Sequence, residues 1–325
     1  MNREQFQQSL EKIYPDQKVE FVNADKPIQT SHDVYFVNYE LDGKTQRLVY
    51  KVYPKVRPEY KRPDLRKEVE VLQGIEASGA TLVPHVFYAD YSKEIYPQDY
   101  FAMTEVRGKS LSEQMGQAMT IPEKRAIMRE MAELLVNIYN INLANFPSLL
   151  RSNYAITALD RIDQICTRLK KFSGKIGIEP INLMQAGLDV LKNSLPEETD
   201  SGLINGDIDM EHILKQPDGR YVVIDWDPAE IGDRCWDIYW MAKAIPHLLF
   251  GYNESLDDFI SFYEDKNGRA LKNKDYYEKA GLMWSYTLGM FIENAIPNHV
   301  AVPLIKHVRP IQEGKLENMV ASTQK

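Results

Sequence analysis

The stretch that most constrains this chain runs from Leu203 to Asp233, LINGDIDMEHILKQPDGRYVVIDWDPAEIGD. Asn205-Gly206-Asp207 interrupts an apolar stub in the manner of a loop. Ile213-Leu214 and Tyr221-Val222-Val223-Ile224 have the residue types of two short strands, and Pro217-Asp218-Gly219 between them is a turn former. A hairpin returns the chain to its starting point, so Asp207 and Asp225 are expected to end near each other, with His212 carried between them. Two carboxylates and an imidazole at the mouth of a hairpin suit a cation with a general base beside it. The competing reading is an ordinary hairpin whose turn acids are simply solvated.

Kinases carry a loop of the form H-x-D-x-x-x-x-N, followed after a hairpin by a metal-binding Asp. Residues 205–212, NGDIDMEH, keep that spacing with Asn205 at the His position and His212 at the Asn position. Asp225-Trp226-Asp227 stands where kinases have D-F-G, and Gly232-Asp233 followed by Asp237 resembles the G-D-x-x-x-D of aminoglycoside phosphotransferases and related small-molecule kinases such as choline kinases. The resemblance implies an α+β, bilobal protein-kinase-like fold, with a small β-rich lobe over residues 1–107 and a larger helical lobe over 108–325. It further implies that Asp207 accepts the proton of a substrate hydroxyl, that Asp225 and His212 hold Mg²⁺, and that ATP or GTP donates the phosphate. A neutral imidazole is a poorer Mg²⁺ ligand than a carboxamide oxygen, which sets His212 apart from the family pattern.

Upstream, Phe6, Leu10 and Ile13 have helical spacing, and strands follow at Val19–Val22, Val34–Val37 and Arg47–Tyr53. Asp42-Gly43-Lys44 joins the last two as a hairpin. Strand alternation puts Val49, Lys51 and Tyr53 on one face, with Tyr50 and Val52 on the other. A lysine inside so apolar a strand needs a partner or a solvated mouth, because an unpaired buried ammonium is costly. Asp64 is positioned to cap a helix through Ala77, on which Leu65, Val69, Leu72 and Ile75 form one stripe. Glu68 falls inside that stripe while Glu70 points away, so Glu68 is expected to meet a buried cation, and Lys51 is the candidate. The family places its paired Glu there too, with the lysine on the α/β-phosphates. The loop of residues 23–33 contains no glycine; Thr30, Ser31 and His32 are its candidates for phosphate contacts. By resemblance the segment Tyr100–Gly108 is a hinge, in which the Thr104 carbonyl and the Val106 N–H bond an adenine flanked by Met103.

Beyond Gly108 the pattern is mostly helical. Helices are expected at Leu111–Met119, at Pro122–Asn140 with Met128, Met131, Leu134, Leu135 and Ile138 on its core face, and over residues 155–172 and 180–194 with a turn at Ser173-Gly174-Lys175. Asp233 caps a further helix through Leu249, on which Asp237 is expected to hold the loop backbone. Helices near 255–264 and 275–296 carry Glu264, Asp265 and Glu293, which suit a cleft or a solvated surface equally well, and the polar tail from Gly314 is expected to fray.

Bulk properties narrow the function class. The 325 residues carry a net charge of −8, which argues against nonspecific nucleic-acid binding and suits a cationic substrate. Two cysteines indicate no disulfide framework. No apolar run reaches membrane-spanning length, and a cytoplasmic protein, monomeric or weakly dimeric, is expected. The leading expectation is a kinase of a small-molecule hydroxyl, with aminoglycosides or other antibiotics first among substrates and choline, homoserine or sugars as rivals. A nucleotide-binding pseudokinase acting through protein interaction is the alternative from another class.

Overall fold

The computed structural model describes residues 1–27, 33–53, 65–147, 149, 158–244, 255–295, 297 and 302–322. The expected phosphate-loop residues Thr30, Ser31 and His32, the cap Asp64 and the end of the helix predicted to run to Leu249 lie outside the described residues.

Helix α1 (Arg3–Ile13) starts at Asn2, whose side chain accepts from the Gln5 N–H while the Gln5 side chain accepts from the Asn2 N–H. That exchange satisfies two first-turn donors. The helix buries Phe6 and Leu10 against a five-stranded sheet of order β1-β2-β3-β5-β4, with Phe6 stacked on Phe21 at 5.3 Å between centroids. The strands are β1 (Val19–Asp25), β2 (Asp33–Leu41), β3 (Lys44–Val52), β4 (Val86–Asp90) and β5 (Tyr100–Thr104), and every neighbouring pair is antiparallel. Leu48, Tyr50 and Val52 of β3 join Phe6 and Leu10 in one core, which leaves Lys51 on the other face, as period-two alternation requires. Helix α2 (Leu65–Ala77) buries Leu65, Val69, Leu72 and Ile75, together with Glu68.

By packing, the chain forms two compact units, each discontinuous in sequence: Met1–Gln117 with Ile141–Arg151 and Asp209–Ala229, and Ala118–Asn140 with Ser152–Ile208 and Glu230–Lys325. The first unit also holds a three-stranded sheet in which β6 (Lys109–Ser110) pairs with one arm of the predicted hairpin. Gly108 is needed there, because a Cβ at that position would collide with the Lys215 carbonyl.

The second unit is mainly helical. Thr120 and Glu123 exchange capping bonds at the start of Ile121–Tyr139, and Met128, Met131, Leu135 and Ile138 on it are fully buried. That helix packs on Ser255–Asn267, and Lys274–Ala295 packs on Ala158–Leu169 and Val302–Ser322. Two expectations are corrected. Ser173-Gly174-Lys175 is not a turn but part of a short helix, Ser173–Ile176, and the break comes at Gly177, whose φ of 90° suits a residue without a Cβ. The tail from Gly314 belongs to the helix Val302–Ser322, held because Leu316 is fully buried and Met319 lies one turn on. Two of the candidate cleft acids have structural partners: Glu264 accepts from the Leu271 N–H and from Lys274, and Glu293 pairs with Arg309 at 2.6 Å. Both cysteines are buried free thiols, and no helix among the described residues is long and apolar enough to cross a membrane.

Candidate active site

Lys51 is the centre of a buried cluster in the first unit. Its Nζ lies 2.8 Å from Glu68 Oε1 and 2.7 Å from Asp225 Oδ1, and Lys51 and Glu68 are both nearly inaccessible. Burial alone pulls the ammonium toward neutrality, but Glu68, then Asp225 and Asp227, outweigh it and hold the pKa above its ordinary value. Glu68 also accepts from the Trp226 N–H at 3.2 Å on the same oxygen, and from the Tyr53 hydroxyl on the other. A carboxylate this deep is tolerable because it is paired and its oxygens meet donors.

The hairpin that carries Asp225 forms in the register Ile213↔Val223, Leu214↔Val222, Lys215↔Tyr221. The Ile224 N–H donates to the His212 carbonyl at 2.9 Å, so the mouth of the hairpin is closed by backbone. The Trp226 indole N–H bonds the Val223 carbonyl at 3.0 Å and the ring is fully buried, which pins the residue after Asp225. Asp225 itself adopts φ 61°, a left-handed conformation that a non-glycine residue keeps only when its surroundings impose it. His212 Nε2 stands 3.9 Å from Asp225 Oδ2, and its Nδ1 is buried with no hydrogen-bond partner. Asp227, two residues on, has its carboxyl pushed up to about 6, first by burial and then by Asp225 and Glu68, against the pull of Lys51.

Mg²⁺ typically takes one or two protein carboxylates and completes its shell with water and phosphate oxygens. Among the described residues no group of three or more His, Cys, Asp or Glu side chains could cage a metal. Asp225 and His212 offer a carboxylate oxygen and an imidazole nitrogen, a donor set that fits the small number of protein ligands such an ion takes.

In the second unit, the loop Asn205-Gly206-Asp207 follows strand Ser201–Ile204, which pairs antiparallel with Glu230–Asp233. The fully buried Asp237 carboxylate accepts from the Asn205 N–H at 2.7 Å and the Gly206 N–H at 2.8 Å. The Trp236 indole donates to the Gly206 carbonyl at 3.3 Å, and Gly206 has φ 82°. The Asn205 side-chain oxygen accepts from the Asp207 N–H at 3.2 Å, a local loop bond characteristic of Asn. Asp207 is exposed on a backbone held at three points. Asp233 starts the helix Cys235–Ala244 by accepting from the Cys235 N–H at 3.0 Å.

Of the remaining predicted residues, Thr104 ends β5 and its N–H is bonded to the His85 carbonyl, while Val106 is half-buried just beyond. Ser31 lies outside the described residues. A cavity of about 340 Å³ beside this segment is lined by Asn38, Thr45, Gln46, Arg47, Thr104, Glu105 and Arg107. With no apolar wall it does not suit a purine ring. Sequence reasoning missed Tyr53 and Asp227 as members of the Lys51 cluster, although alternation had already given Tyr53 the face of Lys51.

The model of the phosphotransferase enzyme family matches residues 27–268. Among curated proteins, human acyl-CoA dehydrogenase family member 11 is 22% identical over 217 residues, which is 62% of this chain and 27% of that protein; the chain thus spans about a quarter of the length of the curated relative. A structure from Ralstonia eutropha JMP134, provisionally named an aminoglycoside phosphotransferase, superposes with TM-score 0.75 at 15% identity over 99% of this chain and 98% of the other. The GDP and kanamycin complex of APH(2")-IIIa gives TM-score 0.64 at 13% identity over 98% of both chains. An ethanolamine kinase of Plasmodium vivax gives 0.61 at 11% identity over 93% of this chain and 83% of its own. At these identities the structural likeness speaks for the fold.

Proposed function

The chain belongs to the phosphotransferase enzyme family, and from that premise we propose that it transfers the γ-phosphate of ATP or GTP to a hydroxyl of a small molecule. The observation that carries the reading is the buried Lys51–Glu68 pair converging with Asp225. Phosphoryl transfer needs the nucleotide's charge held and the acceptor oxygen oriented in line, with little covalent work for the protein. In this reading residues 1–107 are the nucleotide-binding lobe and residues 108–325 the helical lobe. Lys51 binds the α/β-phosphates, kept in place by Glu68, and Thr104 and Val106 offer backbone groups to the base. Ser31 belongs to the phosphate loop. Asp225, with His212, holds Mg²⁺, which when bound neutralises charge on the transferring phosphate. Asp207 accepts the acceptor's hydroxyl proton, and the bonds from Asp237 and Asn205 keep its backbone fixed while it does so.

For the acceptor we propose an aminoglycoside or another antibiotic. The net charge of −8 suits a polycation, and a structural neighbour was solved with kanamycin. An amino alcohol is the rival, favoured by the likeness to an ethanolamine kinase. The test is transfer of labelled phosphate from ATP and from GTP, with and without Mg²⁺, to a panel of aminoglycosides, macrolides, choline, ethanolamine, homoserine and simple sugars. Transfer to one class that stops in Asp207→Ala is the expected result. Nucleotide binding with no acceptor phosphorylated would favour a pseudokinase, and no nucleotide binding would refute the reading.

A further inference from the structure

Glu68 is gripped on both oxygens, and only one of those grips belongs to the ion pair. Oε1 takes the Lys51 ammonium and the Trp226 N–H. Oε2 takes the hydroxyl of Tyr53. Tyr53 lies two residues after Lys51, so strand alternation turns both side chains toward α2. Its ring centroid is 5.7 Å from Lys51 Nζ, within reach of a cation–π contact. Tyr53 is 5% exposed and Glu68 2%. Burial first, and the Glu68 charge next, raise the phenol's pKa well above its ordinary value, so the hydroxyl stays protonated and donates.

The terminal torsion of a glutamate is broad. A carboxylate held by one oxygen can swing, whereas one held by both cannot. The distinction matters because Lys51 has a second acceptor, Asp225, at 2.7 Å. If Asp225 turns to another partner, only a fixed Glu68 keeps the ammonium where it is. We propose that Tyr53 is a positioning residue: its hydroxyl locks the Glu68 carboxylate, and through it holds the Lys51 ammonium ready for a nucleotide's phosphates. This rests on the kinase reading above.

The experiment measures nucleotide affinity and steady-state kinetics for the wild type, Tyr53→Phe, Glu68→Ala and the double variant. Phe keeps the ring and its packing, and thermal melts verify that each variant is folded. Loss of one hydrogen bond to a charged group predicts that Tyr53→Phe weakens nucleotide affinity about tenfold or more. The acceptor's KM stays unchanged. In the Glu68→Ala background the same substitution has no further effect on affinity, because its partner is gone. A Tyr53→Phe protein with wild-type nucleotide affinity, or a full second loss on top of Glu68→Ala, overturns the role of Tyr53 alone. A wild-type protein that binds neither ATP nor GTP overturns the kinase reading and this proposal with it.

Discussion

Around Lys51 the holding groups are side chains of opposite charge, whereas around Asn205-Gly206-Asp207 a single buried carboxylate, Asp237, holds backbone. The first cluster gathers three acids, Glu68, Asp225 and Asp227, about one lysine. Burial first, and the neighbouring Asp225 and Glu68 next, push the Asp227 carboxyl up to about 6 against the pull of Lys51. The second arrangement keeps Asp207 exposed and constrains the loop through backbone groups and the positive φ of Gly206. A cluster held together by charge is thus sensitive to charge, and a loop held through its backbone is sensitive to the loss of a hydrogen-bond acceptor.

The sharpest way to break this contrast is at Lys51. Lys51→Met leaves Glu68 buried without its cation, and breaking such a pair costs about 3–5 kcal/mol. Chemical denaturation is expected to show that loss, together with nucleotide affinity at least about tenfold weaker. Asp237→Ala attacks the other region. Two buried N–H groups lose a charged acceptor, so stability is expected to fall by about 3–4 kcal/mol. Turnover should drop with nucleotide affinity retained, and a loss of affinity equal to that of Lys51→Met would erase the distinction.

The two regions also differed in how far the sequence revealed them. Glu68 could be chosen over Glu70 because a 100° rotation per residue puts one of them on the buried stripe of Leu65, Val69 and Leu72. The hairpin was legible from its strand formers and from Pro217-Asp218-Gly219. Asp237 could be placed under the loop from the motif, but the compensating bond from Asn205 could not, since it depends on the side-chain geometry of a turn. Tyr53 was in plain view by alternation and was passed over because its hydroxyl needs a partner that only tertiary packing brings. The helix Val302–Ser322 escaped because its polar residues and Pro310 mask the buried side chains Val302, Val308, Leu316 and Met319. Residues 141–151 and 209–229 pack with the first unit through contacts far apart in sequence, which no local pattern records.

Smaller effects sharpen the comparison. For Asp227 the unfolded carboxyl titrates near 3.8 and the folded one near 6. Between those values the folded state holds a proton that the unfolded state has lost, so this group makes stability fall as pH rises from about 4 to about 6 and level off above. The size is about 2–3 kcal/mol, measured as the difference between wild type and Asp227→Asn in denaturant titrations with EDTA present. A flat difference across that window would remove Asp227 from the charged cluster. Trp236→Phe keeps an aromatic ring but deletes the bond to the Gly206 carbonyl. It is expected to cost about 1 kcal/mol in stability and to lower kcat with nucleotide KM unmoved.

The division of labour itself is tested most directly by measuring nucleotide affinity and single-turnover phosphate transfer in Asp207→Ala. If Asp207 is the general base proposed above, its removal slows transfer by about 10²–10⁴-fold, with nucleotide affinity within about twofold of the wild type. Transfer at the wild-type rate, or nucleotide affinity lost along with it, would contradict the account.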